Sequence, residues 1–166
     1  MATNTLIQKL DGTALISNIT GSPGSYTSVA IPDVSNRRQV ETFIAGATVV
    51  VGDWLMFDTS ATGSARVLTV IQATNVLLGN SLVVGVCLGS AETDGSLTAG
   101  SKINVVVAGY VEGANVDAAV VAGSPLVVDT AAGRANVGVT GDIGFCGVAL
   151  EADVANKAAV WVYKRF

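Results

Sequence analysis

Gly52-Asp53-Trp54-Leu55-Met56-Phe57-Asp58-Thr59-Ser60-Ala61-Thr62-Gly63 recurs, altered, as Gly123-Ser124-Pro125-Leu126-Val127-Val128-Asp129-Thr130-Ala131-Ala132-Gly133. In each copy a Val-rich run reaches a Gly-polar turn, then an apolar strand, then Asp-Thr and a turn of small residues. An arginine follows each copy, Arg66 and Arg134. Further along, Gly85-Val86-Cys87-Leu88 is answered by Gly147-Val148-Ala149-Leu150, and Lys102-Ile103-Asn104-Val105-Val106-Val107 by Lys157-Ala158-Ala159-Val160-Trp161-Val162. Three matches in the same order imply an internal duplication. Asp58 to Gly85 spans 27 residues and Asp129 to Gly147 spans 18, so the first copy carries about nine extra residues, expected around Gln72 to Leu78.

The composition surrounding these matches is that of a β protein. Half of the 166 residues are apolar, with Val and Ala dominant and 19 glycines. Valine and threonine suit pleated strands, and glycine punctuates them. Strands at short, regular spacing with Gly turns imply an all-β sandwich or barrel. The reading places strands at 37–44, 48–51, 54–57, 66–71, 82–88, 103–107, 110–111, 118–121, 126–128, 134–137, 143–150 and 158–163, with a further short one at 75–78. The polar stretch 89–101 is expected to be a surface tip or a short helix. A run such as Leu82-Val83-Val84 needs cover on both faces, which a closed barrel or a packed oligomer supplies while also protecting strand edges.

Residues 1–36 differ from this body, 37–166, whose halves fall at about 44–111 and 112–166. Asp11-Gly12 between apolar runs is a hairpin signal, and 21–26 is rich in Gly, Ser and Pro. The segment is an arm. A lone hairpin is marginal in water, so Leu6, Ile7, Leu10, Leu15, Ile16 and Ile19, with Tyr26 behind them, need a surface to cover. That surface is either the subunit's own body or a partner.

Charged residues make up only 13% and the net charge is −4. Such low charge beside so much apolar material suits an obligate oligomer or a shell-bound subunit, since obligate interfaces resemble a domain core cut in half. The largest basic groupings are Arg37-Arg38 and Lys164-Arg165, so the footprint of a nucleic-acid binder is not expected. No signal peptide is read at the N-terminus, and no unbroken apolar run reaches the roughly 18 residues of a membrane helix. Synthesis in a cytosol is therefore expected, with no membrane partner.

Chemistry is thinly represented. With no histidine and two cysteines, no metal site is expected; Cys87 and Cys146 read as small buried hydrophobes. Two Asp-Thr motifs invite comparison with aspartic proteases, whose paired carboxylates share a proton. That motif requires Gly after Asp-Thr or Asp-Ser, and here Ser60 and Ala131 follow instead. The better reading is a pair of strand-end turns in which the carboxylates bond back to nearby amides and face Arg66 and Arg134 across the hairpins. Trp54 and Trp161 read as core or interface aromatics. No phosphate-binding glycine loop or calcium loop is present in the sequence, so neither enzyme activity nor a cofactor is expected.

The order Ala45-Gly46, Val50-Val51-Gly52-Asp53, Val84-Gly85-Val86, Thr98-Ala99-Gly100 and Ala108-Gly109-Tyr110-Val111 resembles the small capsid-decoration, or cement, proteins of tailed bacteriophages. The likeness covers about residues 44–166, and Gly147-Val148-Ala149-Leu150 with 157–162 repeats part of it. It implies a β-barrel or β-tulip body, a homotrimer, and attachment to the outer surface of a virion through the major capsid protein. It also implies an N-terminal arm that adds to a capsid-protein sheet by β-augmentation. The other readings are a head-fibre, tail or receptor-binding virion component, and a cellular β-rich binding module.

Overall fold

A computed structural model describes residues 38–75 and 80–163, and Arg38–Phe166 forms one compact unit. Among the described residues the fold is nearly all β, with no α-helix. The strands are β1 (Arg38–Ala45), β2 (Trp54–Phe57), β3 (Thr69–Gln72), β4 (Val83–Ser90), β5 (Lys102–Asn115), β6 (Pro125–Val128), β7 (Ala135–Val137), β8 (Gly147–Ala149) and β9 (Lys157–Val162). They follow the order β1-β3-β2-β4-β5-β9-β8-β6-β7, and a further pairing of β1 with β5 closes the first five into a barrel.

The remaining strands repeat that barrel. Strand β5 is long enough to serve twice: its N-terminal part ends the first barrel and its C-terminal part begins the second. The second order is then β5-β7-β6-β8-β9, back to β5. Its last seam, β5 to β7, is a single parallel bridge between Val116 and Ala135, where the first barrel pairs Ala45 with Val70, also parallel. The same hydrogen bond follows each pair, Gly46 N–H to Val70 O at 2.8 Å and Asp117 N–H to Ala135 O at 2.7 Å.

Cross-strand register extends the correspondence residue by residue. Leu55 faces Gly85 as Leu126 faces Gly147; Phe57 faces Val70 as Val128 faces Ala135; Cys87 faces Val105 as Ala149 faces Val160; Phe43 faces Ile103 as Ala114 faces Ala158. The repeated Gly-Val has a steric cause. A Cβ at Gly85 would fall on the carbonyl oxygen of Val106, and one at Gly147 would lie 2.5 Å from that of Trp161. The repeated turn has one too: Gly52 and Gly123 have φ of 94° and 86°, a region that costs glycine nothing.

Two cores result. The first barrel encloses Phe43, Ala45, Val49, Leu55, Val70 and Ile103, with Phe57 against them. The Phe43 and Phe57 rings meet edge to face, centroids 6.2 Å apart, a favoured aromatic geometry. The second core holds the matching residues of the other repeat together with Trp54, Met56, Val86 and Val106 from the outward face of the first barrel.

Several local expectations are corrected. Residues 48–51 and 118–121 are turn approaches, not strands, because the amides of Val50 and Val121 bond to the side chains of Asp53 (2.8 Å) and Ser124 (3.3 Å) rather than to a neighbouring strand. The segments 103–107 and 110–111 are one strand, in which Gly109 and Gly113 take positive φ and a register shift falls between Val111 and Ala114. Arg66 lies in a 3-10 turn, Gly63–Val67, and not in β3. The polar stretch 89–101 contains no helix. The extra residues of the first copy divide: Asp58 to Val70 is six longer than Asp129 to Ala135, and Val70 to Gly85 is three longer than Ala135 to Gly147. Most of the insertion is therefore the 3-10 turn.

Candidate functional site

The arm residues Leu6, Ile7, Leu10, Leu15, Ile16, Ile19 and Tyr26 lie outside the described residues. Within the body, three places collect the residues that sequence reasoning singled out.

The first is the pair of Asp-Thr corners. Asp58 Oδ1 accepts from the Ser60 amide at 2.9 Å and the Ser60 hydroxyl at 2.6 Å. Asp129 Oδ1 accepts from the Thr130 amide at 2.6 Å and its hydroxyl at 3.2 Å. Each carboxylate thus bonds within its own turn, at the same corner of a different barrel. The Ser60 hydroxyl, then its amide, hold Asp58 below the usual carboxylate range. Arg66 donates from Nε to Ala61 O at 2.9 Å, and the carbonyl of Arg134 accepts from the Asp129 amide at 2.9 Å. The corners are turn locks rather than a dyad.

The second is a polar clasp between the barrels that sequence reading missed. Asp53 is 4% exposed. Its Oδ2 accepts from Gln72 Nε2 at 2.7 Å as well as from Val50 N, and its Oδ1 accepts from Asn115 Nδ2 at 2.8 Å. Asn115 is the last residue of β5, in the part that belongs to the second barrel, and its amide donates to Gly52 O at 2.8 Å. A buried carboxylate needs such donors. Gly133 closes over the same place: its carbonyl accepts from Trp54 N, its amide donates to Ala73 O, and a Cβ there would stand 2.7 Å from Asp53 Oδ1. The signal in the sequence is the change from Asp53 to Ser124 at matched turns, since only the first turn meets a second barrel.

The third is an outward apolar row. Across the first barrel, register aligns Trp54, Val86 and Val106 on the outer face, and all three are fully buried because the second barrel covers them. The indole of Trp54 enters the second barrel, its Cη2 lying 3.1 Å from where a Gly147 Cβ would be. The matched row on the second barrel is Pro125, Val148 and Trp161. Pro125 is exposed, Val148 is half-buried, and Trp161 is 39% exposed. Tyr163, just past the end of β9, and Leu150, just past the end of β8, are exposed as well. Exposed apolar residues grouped in this way make the face a candidate interaction surface. The two tryptophans therefore separate: Trp54 is core, and Trp161 is surface.

Cys87 and Cys146 are buried and unbridged. Burial pushes the Cys87 thiol up to about 11, and Cys146 Sγ donates to Leu126 O at 3.3 Å. Among the described residues no three His, Cys, Asp or Glu side chains converge as a metal site would require. No helix among them is long and apolar enough to cross a membrane. Compared with protein-family models and with curated proteins, the chain matches none.

Proposed function

We propose that this protein is a self-associating structural subunit of a tailed-phage virion, a capsid-decoration or cement protein that binds the outside of the head through the major capsid protein and stabilises the shell. The role needs no catalysis and no cofactor. The observation that carries the reading is the barrel unit itself. The segments bearing Ala45-Gly46, Val50-Val51-Gly52-Asp53, Val84-Gly85-Val86 and Ala108-Gly109-Tyr110-Val111 fold into one closed five-stranded barrel. The partial second pass of those motifs folds to the same strand order. The outward row on the second barrel adds a surface suited to a protein partner, and the low charge of the chain suits burial in an assembly.

In this reading, the arm, residues 1–36, is the capsid contact and the double barrel is the load it carries. The test uses heads of the encoding phage assembled without the protein. The full chain should co-sediment with them to saturation and raise the temperature at which they rupture. Replacing Leu6, Ile7, Leu10 and Leu15 by Ser should abolish co-sedimentation while leaving the body's thermal unfolding unchanged. Failure of the unaltered chain to bind such heads would sink the proposal. Full binding by the arm variant would sink the role given to the arm.

A further inference from the structure

We propose that Lys157 and Asn115 become joined by an intramolecular isopeptide bond, the Lys157 amine attacking the Asn115 side-chain amide while Asp53 moves the proton and ammonia leaves. The bond would tie β9 to β5 where the two barrels meet. It needs neither the arm nor a capsid, so it stands or falls apart from the proposed function.

Backbone register brings the amine and the amide together. Asn115 on β5 stands opposite Lys157 on β9. Val116 N–H donates to Asn156 O at 3.0 Å, which makes the next pair along the ladder a hydrogen-bonded one. Bonded and non-bonded pairs alternate in an antiparallel ladder, so Asn115 and Lys157 form a non-bonded pair, the kind whose side chains stand closer. Their other backbone bonds agree: Lys157 exchanges both of its bonds with Val154, and Asn115 N–H donates to Gly52 O. Opposite residues share a face of the sheet, with Cβ atoms about 4.5–5.5 Å apart, a gap that a lysine chain spans. Ala114 and Ala158, the pair beside them, are buried in the second core. Asn115 and Lys157 therefore project from the outer face of the second barrel, the face that meets Asp53.

Asp53 supplies the third group. Its Oδ1 accepts from Asn115 Nδ2 at 2.8 Å, within the range for proton transfer. A carboxylate only accepts, so the atom it holds is the amide nitrogen that would leave. A Cβ at Gly52 would lie 3.4 Å from Asn115 Cγ, so the Gly52-Asp53 turn lies against that carbon and helps to fix the amide. Lys157 is exposed at the rim of the junction, which gives ammonia an exit. The first barrel lacks the constellation. Its matching lysine, Lys102, faces Ile44, which has no amide to attack, and the turn that matches Asp53 carries Ser124.

The step balances without an oxidant or a further reactant. Lys157 Nζ, as the neutral amine, adds to Asn115 Cγ. The Asp53 carboxylate takes a proton from the attacking nitrogen and returns it to Nδ2. The Cγ–Nδ2 bond breaks, ammonia departs, and a Cγ–Nζ amide remains. Holding amine and amide side by side replaces a bimolecular encounter. The product closes residues 115–157 into a covalent loop around β6, β7 and β8, and such a loop restricts the unfolded chain.

The experiment is mass spectrometry of the full chain, purified folded and held at neutral pH, both intact and after proteolysis. The unaltered protein should be lighter than its sequence by one ammonia. Digestion should yield a branched peptide that joins the segment of Asn115 to the segment of Lys157. Lys157→Arg should keep its full sequence mass. Lys102→Arg, at the matched position of the first barrel, should lose one ammonia as the unaltered chain does. Asp53→Asn should keep its full mass; should its far-UV spectrum depart from that of the unaltered chain, Asp53→Ser, which brings in the residue of the matched turn, replaces it.

A full sequence mass for the unaltered chain overturns the proposal. So does a loss of ammonia without the branched peptide, the result of succinimide formation at an asparagine, or a loss that persists in Lys157→Arg. A cross-link that forms as completely in a folded Asp53 variant also overturns it, because the proton then moves without the carboxylate that holds the leaving nitrogen.

Discussion

In the first barrel Phe43 stands opposite Ile103 and meets the ring of Phe57; at the same three positions of the second barrel stand Ala114, Ala158 and Val128. Val70 likewise becomes Ala135. One change runs the other way, Ala45 to Val116, while Val49 is kept as Val120, and one added valine does not replace two phenylalanines. The missing volume comes from outside, as the indole of Trp54 enters from the first barrel. Duplication has therefore left two barrels of one topology with unequal dependence. The first is filled by its own repeat. The second is completed by a residue of the other. A barrel shut by a single parallel bridge at β5–β7 can remain closed because its neighbour fills it and the Asp53 clasp ties its first residues down.

The sharpest way to break the comparison is Trp54→Ala. Truncating a buried tryptophan costs about 3–5 kcal/mol, and here the cavity opens in the second barrel. Global stability should fall by that order, and amide exchange should accelerate in β6 to β9 before it does in β1 to β3. Trp54→Phe should lose much less, since the indole N–H has no partner among the described residues and volume is what the site uses. Equal acceleration in both barrels would mean that the dependence is mutual.

Next in size is Asp53→Ala. It leaves Val50 N, Gln72 Nε2 and Asn115 Nδ2 without their acceptor in a buried place, a loss of roughly 2–4 kcal/mol. Ser124→Ala, at the matched turn, removes one 3.3 Å hydrogen bond and should cost about 0.5 kcal/mol. Denaturant midpoints of the two variants measure the difference between a turn that meets a second barrel and one that does not. Equal losses would show that the clasp contributes nothing beyond the turn.

How much of this the sequence made legible follows from where backbone geometry leaves a mark. Gly85 and Gly147 are visible because a carbonyl occupies the place of a Cβ, and Gly52 and Gly123 because of positive φ; these anchor the repeat, and the nine strands among the described residues fall at or near their expected positions. The single strand β5 was hidden because Gly109 and Gly113 look like breaks, although they lie inside a ladder that absorbs them as an irregularity. Because β5 serves both barrels, the boundary between halves is a shared strand that no linker announces. The turns at 48–51 and 118–121 read as strands from their valines, while the polar residue three positions after Val50 and Val121, which takes the amide, carries the contrary signal. The candidate surface was least legible. Trp54 and Trp161 have the same composition value but opposite fates, and only register shows that Trp54 matches Pro125 while Trp161 matches Val106.

The smallest effect belongs to the corners, where the barrels differ least. Ser60 donates twice to Asp58 and depresses its pKa below the ordinary 3.8. A depressed carboxylate stabilises the fold above its unfolded pKa, and that stabilisation is lost as pH falls through the lower folded value. Asp58→Ala should therefore lower the denaturant midpoint slightly and by a constant amount from neutral pH down to about pH 5. The two proteins should then converge on further acidification, once the carboxylate of the unaltered chain is protonated in both states. The corner is open to solvent, where charge-dependent contributions are weak and salt-screened, so the whole difference should shrink in high salt. A gap that persists unchanged into acid would assign the corner's stability to the shape of the Asp58–Ser60 turn rather than to its charge. The charge-based likeness of the Asp58 and Asp129 corners would then be incidental, and the shared strand-end geometry of the two barrels would be the whole reason that Asp-Thr occurs twice.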